Sequence, residues 1–126
     1  MPIQWTISHP VKLVIAVCKD TVTREEIEGY LDAVVVADAL AYRKIFDMTH
    51  ATGHLSDDDM MALGARIRAY GTAGGAMGPL AIVAATPGSE ERARLFAALA
   101  QARRPLKIFR ELHLARKWLD AQTPSG

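Results

Sequence analysis

The sequence has one cysteine, almost no net charge and no long hydrophobic run. Cys18 alone excludes an intramolecular disulfide and a cysteine-only zinc site. The 15 lysines and arginines balance 14 aspartates and glutamates, which leaves a formal charge of +1 and argues against nucleic-acid binding. The longest strongly apolar strand-like run, Leu13–Cys18, is far short of the ~20 residues of a membrane-spanning helix. Because Met1–Pro10 also lacks the basic start and apolar core of a secretory signal, we expect a cytoplasmic protein that does not span a membrane.

The composition is that of a folded globular protein. Half of the 126 residues are hydrophobic and 23% are charged, which predicts a packed core rather than disorder. A chain of this length fits one domain, which we place at residues 1–122, followed by a flexible tail at 123–126.

Hydrophobic periodicity predicts a mixed α/β fold with the order β-β-α-β-α-β-α-β-α. Ile3, Trp5 and Ile7 alternate with polar residues, and the short connection to a second strand at Val11–Lys19 predicts an antiparallel hairpin. The later strands alternate with helices, which favours parallel pairing through right-handed crossovers. The remaining predicted elements are a helix from the Thr23 cap to about Ala39, a strand at Tyr42–Met48, a helix from the Ser56 cap to Tyr70, a glycine-rich loop at Gly71–Gly78, a strand at Leu80–Ala85, a helix from Thr86 through Ala100, a strand at Leu106–Phe109 and a helix at Glu111–Gln122.

Two helix starts carry capping signals. Thr23 followed by Glu26 is the pattern of a capping box, in which each side chain bonds the other residue's backbone N–H. Ser56 is predicted to cap the second helix in the same way, with Asp59 returning the bond.

The segment from Asp47 to Asp59 is the candidate site, because ligands of parallel sheets bind outside the carboxyl ends of the strands. As ligand- or partner-binding residues we single out Asp47, Thr49, His50, Gly53, His54 and Ser56. Asp47, His50 and His54 could also hold a divalent metal or act as acid–base groups, although solvated loop histidines are the simpler interpretation. Ser56 is most simply the helix cap, with a phosphoacceptor as the alternative. We expect no resident metal and no cofactor.

Other reactive side chains have simpler interpretations. Cys18 lies in an apolar strand and is predicted to be a buried, inert thiol. Arg103, Arg104, Lys107 and Arg110 cluster around the last strand, where they either meet an anionic partner or form a solvated edge that protects the sheet from aggregation. None of the serines lies in the G-x-S-x-G context of a nucleophile elbow.

The chain resembles the STAS superfamily, and within it the small stand-alone bacterial proteins of the STAS/SEC14-domain or anti-sigma-factor-antagonist type. The resemblance is carried by the opening hairpin, Thr23–Glu26, Lys44–Thr49, Ile108–Arg110 and Ala115–Leu119. It implies a mixed sheet whose consecutive parallel strands lie side by side. In phosphorylatable antagonists an Asp-Ser pair begins the helix after the third strand; here Leu55 precedes Ser56, so only the serine carries over. SEC14-like relatives imply a lipid cavity, for which 126 residues leave little volume beside the core.

These observations predict a non-catalytic binding or regulatory module that docks a protein partner or a small ligand at the loop between the third strand and the second helix. The alternative is a small enzyme or metal-binding protein that uses Asp47, His50 and His54. Right-handed crossovers would gather the helices mainly on one sheet face. A half-apolar face left uncovered predicts a homodimer.

Overall fold

The computed structural model describes residues 2–53, 55–73, 76–100 and 103–122, and the elements follow the predicted order. Within these residues no helix is long and apolar enough to cross a membrane. The elements are β1 (Ile3–Ser8), β2 (Leu13–Asp20), α1 (Arg24–Val36), β3 (Arg43–Ala51), α2 (Asp57–Thr72), β4 (Leu80–Val83), α3 (Pro87–Ala100), β5 (Leu106–Phe109) and α4 (Leu112–Asp120).

The five described strands form one sheet in the order β1-β2-β3-β4-β5. β1 and β2 are antiparallel, and every later pair is parallel. The predicted hairpin and the side-by-side parallel strands are therefore confirmed. Lys44 pairs with Leu80, and Leu80 pairs with Leu106, so the amino-terminal ends of β3, β4 and β5 lie at one edge of the sheet.

Helices cover both faces of the sheet, but unequally. α1, α2 and α3 pack against the face that carries Val14, Phe46 and Ile82. α4 packs on the opposite face against Ile45 and other residues of β3 and β4. The expectation that the helices gather mainly on one face thus holds for three of the four. We call the face under α1–α3 the inner face and the other the outer face.

Both predicted helix caps are present. The Thr23 hydroxyl accepts a bond of 3.2 Å from the Glu26 backbone N–H, and the Glu26 carboxylate accepts one of 2.9 Å from the Thr23 backbone. Ser56 accepts a bond of 3.1 Å from the Asp59 backbone N–H. The predicted return bond from Asp59 is wrong, because its carboxylate lies 3.6 Å from the Arg24 guanidinium instead.

Several predicted boundaries are wrong for identifiable reasons. β3 continues to Ala51 rather than ending at Met48, because its pairing with β2 resumes after a register shift and joins Lys19 to His50. α2 continues to Thr72, two residues into the predicted glycine loop. β2 begins at Leu13 rather than Val11, because Lys12 adopts a left-handed φ of 52° in the turn after β1.

The other differences are smaller. β4 ends at Val83 rather than Ala85, α1 ends at Val36 rather than Ala39, and α4 occupies Leu112–Asp120 within the predicted Glu111–Gln122. The predicted tail at 123–126 lies outside the described residues, so the domain boundary stays a prediction.

Candidate functional site

The predicted site residues fall on the carboxyl end of β3 and on the segment that follows it. Asp47, Thr49 and His50 belong to the strand, so the extension of β3 removes Thr49 and His50 from the predicted loop. Gly53 and Ser56 lie in the connection to α2. His54 lies outside the described residues.

Asp47 and Thr49 form one local unit. The Asp47 side chain is 6% exposed, and its Oδ1 accepts bonds of 2.9 Å from the Thr49 backbone N–H and 2.7 Å from the Thr49 hydroxyl. These bonds satisfy a buried carboxylate within the strand itself. Asp47 is therefore tied to the backbone at the strand end.

The structure does not bring His50 into that unit. His50 is exposed and lies opposite Lys19 in the sheet. Within the described ranges no group of three histidine, cysteine, aspartate or glutamate side chains is placed to hold a metal ion. The predicted metal or acid–base site consists of Asp47, His50 and His54. The structure describes the first two, and it does not bring them together.

Ser56 is exposed, and its hydroxyl serves as the cap of α2. Asp57, Asp58 and Asp59 follow it in the first turn, where carboxylates suit the positive end of the helix dipole. Ion pairs with Arg92 (2.9 Å) and Arg24 (3.6 Å) hold Asp57 and Asp59 respectively. The capping role is confirmed, and the phosphoacceptor role stays a prediction.

A cavity of about 120 Å³ lies between the inner face of the sheet and the helices α1–α3. Its wall is almost entirely apolar, with aromatic contributions from Tyr30, Phe46 and Phe96. Four residues of the predicted site segment line it: Met48, Ala51, Gly53 and Leu55. We call residues 51–53 and 55–56 the rim, because they lie between the end of β3 and the start of α2 at the carboxyl edge of the sheet.

The rim is held against its neighbours on both sides. A Cβ atom at Gly53 would lie 3.0 Å from the Thr21 hydroxyl oxygen, so the backbone passes close to the β2–α1 connection. On the other side, the Arg92 guanidinium of α3 donates to the Leu55 carbonyl and pairs with Asp57. Of the five singled-out residues that the structure describes, Gly53 alone contributes directly to the cavity wall.

Four titratable residues in the cavity wall, Cys18, Tyr30, Lys44 and Arg104, have pKa values that burial shifts strongly. Burial raises the pKa of the Cys18 thiol to about 12, with a further contribution from the Asp47 carboxylate. The Tyr30 pKa is also raised, chiefly by burial. The prediction that Cys18 is a buried thiol is confirmed, because it is 2% exposed, and such a pKa leaves it protonated near neutral pH.

Three described cationic residues line the cavity, Lys44, Arg92 and Arg104, and sequence reasoning missed this placement for all of them. Lys44 is only 4% exposed, and Arg104 is partly buried rather than part of a solvated basic edge. The signal for Lys44 was available, because it alternates with Phe46 and Met48 on the inner side of β3. Nothing in the sequence separates Arg104 from Arg103.

The comparisons identify the fold. No protein-family model and no curated protein matches the sequence significantly. A solved structure does match: a crystal structure described as an uncharacterized protein from the DUF3478 family with a SpoIIAA-like fold, from Shewanella loihica PV-4. The two chains are 20% identical, the match covers 93% of each, and the TM-score is 0.62. The chain therefore has a SpoIIAA-like fold, which confirms the fold expected from the STAS resemblance.

Proposed function

We propose that this protein is a non-catalytic binding and regulatory module that takes a small ligand into the cavity beneath the rim. The observation that carries the proposal is the cavity itself, since a dense protein interior ordinarily leaves few voids larger than a water molecule. Its volume of about 120 Å³ is close to the roughly 150 Å³ of an engineered apolar cavity that binds benzene. A two-chain lipid is far too large for such a space.

Occupancy of the cavity is coupled to the rim, which is the surface that a protein partner would meet. Gly53 and Leu55 line the cavity and belong to the connection between β3 and α2. Because Arg92 bonds the Leu55 carbonyl, a displaced rim would also disturb the pairing of Arg92 with Asp57. A ligand that fills the cavity therefore favours one rim conformation. The affinity of a protein partner that binds the rim then depends on whether the cavity is occupied.

Cavity binding can be tested with benzyl alcohol as a neutral probe, by following backbone amide NMR signals. We expect saturable shifts at Ala51, Gly53 and Leu55. Ala93 lines the cavity and is 4% exposed, so Ala93→Leu should fill the space and abolish the shifts. Ala98→Leu, on the exposed side of the same helix, is the matched control and should bind like the wild type. Shifts that persist in a folded Ala93→Leu variant would contradict the proposal.

We further propose that the module works in the cytoplasm as a homodimer. α4 covers β3, β4 and β5 on the outer face, while Ile15 and Val17 of β2 remain partly exposed beyond it. Apolar residues on an uncovered sheet face favour a symmetric contact. Sedimentation velocity at micromolar concentration should show a dimer that Ile15→Lys dissociates and Val36→Lys, on α1, does not. A monomer of 13.7 kDa for the wild type would contradict this proposal.

A further inference from the structure

The cavity carries positive charge at the edge of the sheet opposite the rim. Lys44 stands near the start of β3, and Arg104 lies two residues before β5. Because β3, β4 and β5 are parallel, their amino ends meet at one edge, and both side chains line the cavity there. The rest of the wall is apolar apart from Cys18, Tyr30 and Arg92.

Among the described residues, the hydrogen-bond partners of these two cations are neutral carbonyl oxygens. The Lys44 amine donates to the carbonyls of Leu40 and Tyr42, the latter at 2.8 Å. The Arg104 guanidinium makes a long bond of 3.5 Å to the Gly78 carbonyl, and its Nε is shielded from solvent without a hydrogen-bond partner. In the parts of the chain that the structure describes, neither cation has a carboxylate within ion-pair distance.

Such an arrangement is costly for the protein on its own. A buried charge ordinarily has a counter-ion, because desolvation is otherwise uncompensated. Arg92, at the rim, shows the ordinary solution, since it pairs with Asp57 at 2.9 Å. Burial, together with the nearby Arg104 charge, lowers the pKa of Lys44 to about 7. An anion bound in the cavity would supply the missing countercharge.

We propose that the cavity binds a small monocarboxylate with an apolar body, whose carboxylate contacts Lys44 and Arg104 and whose single ring or short alkyl chain extends along the apolar wall toward the rim. The inference rests on the proposed function, because it requires that the cavity be occupied by a ligand. The cavity volume sets the size of the body. The two cations set the charge of the head group, and the guanidinium favours a planar carboxylate.

Benzoate and benzyl alcohol separate this inference from the proposed function, because they share a ring and differ in charge. Calorimetric titration should show benzoate binding about tenfold or more tightly than benzyl alcohol, as charge-assisted hydrogen bonds predict. Equal affinities would overturn the carboxylate assignment and leave the cavity proposal standing. Failure of both probes to bind would overturn both.

Substitution locates the head group. Lys44→Met should reduce benzoate affinity to the level of benzyl alcohol while leaving benzyl alcohol binding unchanged. Lys107→Met, at an exposed position of β5, is the matched control and should change neither. Arg104→Met provides an independent second variant with the same expected loss. Unchanged benzoate affinity in either folded cavity variant would overturn the assignment.

The pH dependence tests the wild type without any substitution. Benzoate stays ionised, so its affinity should fall severalfold between pH 6 and pH 8.5 as Lys44 loses its proton. Cys18 and Tyr30 face the same space, but burial raises the pKa of both, and Arg104 keeps its charge with a pKa of about 10, so none of these three titrates in this window. Arg92, the remaining charged residue of the described wall, pairs with Asp57. Benzyl alcohol affinity should stay constant. A flat benzoate profile would refute a head-group role for Lys44.

Discussion

Replacing Lys44 by methionine should change how the stability of the protein depends on pH. The Lys44 amine has its ordinary pKa of 10.5 in the unfolded chain and a pKa of about 7 in the folded protein, where burial and Arg104 disfavour its charge. Between these values the unfolded state binds more protons than the folded state. The free energy of unfolding therefore rises as pH rises through this window, and the full penalty is present below about pH 7.

The shift of about 3.5 pH units corresponds to a penalty of at most about 5 kcal/mol at low pH. Only part of this free-energy penalty is removed within the pH range in which unfolding is easily measured. Between pH 7 and pH 9 the wild type should gain about 2 kcal/mol from Lys44 alone, a gain that Lys44→Met lacks. Cys18, whose raised pKa lowers stability above about pH 9, is present in both proteins and cancels in the comparison.

The substitution also removes two hydrogen bonds, but that cost does not depend on pH. The Leu40 carbonyl keeps a bond of 2.9 Å from the Gly78 backbone, whereas the Tyr42 carbonyl loses the Lys44 amine. An unpaired buried carbonyl costs about 1–3 kcal/mol. This cost lowers the free energy of unfolding of the variant by the same amount at every pH and leaves its slope against pH unchanged. The difference between the two curves, rather than their absolute height, is therefore the quantity that reports on Lys44.

Urea unfolding followed by far-ultraviolet circular dichroism at a series of pH values from 6 to 9 measures this difference. We expect the wild-type curve to rise relative to that of Lys44→Met, with unchanged m-values. Lys107→Met, at an exposed position, should run parallel to the wild type. If the Lys44→Met curve also runs parallel to the wild type, folding does not lower the pKa of the Lys44 amine. That result would refute the reasoning from its burial.

Three further predictions each concern a single position. A Cβ atom at Gly78 would lie 2.1 Å from the Tyr42 carbonyl oxygen, so Gly78→Ala should destabilise the protein by more than about 2 kcal/mol in thermal unfolding. Gly29, inside α1, has nothing within 4 Å of an added methyl group, and Gly29→Ala should instead stabilise by up to about 1 kcal/mol in the same assay. Ser56→Ala should cost about 1 kcal/mol through loss of the Asp59 backbone bond, and a cost near zero would show that water replaces the cap.

Local patterns predicted the order of the elements, and longer-range contacts decided where several of them end. The capping signals at Thr23 and Ser56 depend on neighbours within one helical turn, so the sequence alone contains them. The end of β3 does not, because residues 50 and 51 are strand only through their pairing with Lys19 and Asp20 of β2. The register shift also puts one extra residue in β3, so Met48 and Ala51 both line the cavity although they are three residues apart, and the period-two alternation that predicts a strand is lost at this point.

The position of the candidate site could be predicted from the sequence. Its nature, an apolar cavity rather than a set of polar loop residues, could not. The rim lies at the carboxyl edge of the sheet, where the strand order led us to look. The polar residues of the predicted site mostly take part in local structure, since Asp47 accepts hydrogen bonds from Thr49 and Ser56 caps α2. The cavity lies behind them and depends on how three helices are spaced over the sheet. That spacing is a property of the assembled molecule rather than of any one segment.

Lys44 is a charged side chain in a buried, mostly apolar environment, and this mismatch points to a function. A sequence specifies its fold most cleanly when each side chain suits its surroundings, and departures from this consistency gather at functional sites. A methionine in place of Lys44 would satisfy the apolar inner face of β3 as Met48 does, without the cost of desolvating an amine. The lysine lies beside a second cation with no described carboxylate within ion-pair distance, so within the described chain only the carbonyls of Leu40 and Tyr42 compensate the burial of its charge. An anion in the open volume next to both cations would supply the compensation that these carbonyls give only in part, and the carboxylate assignment rests on this.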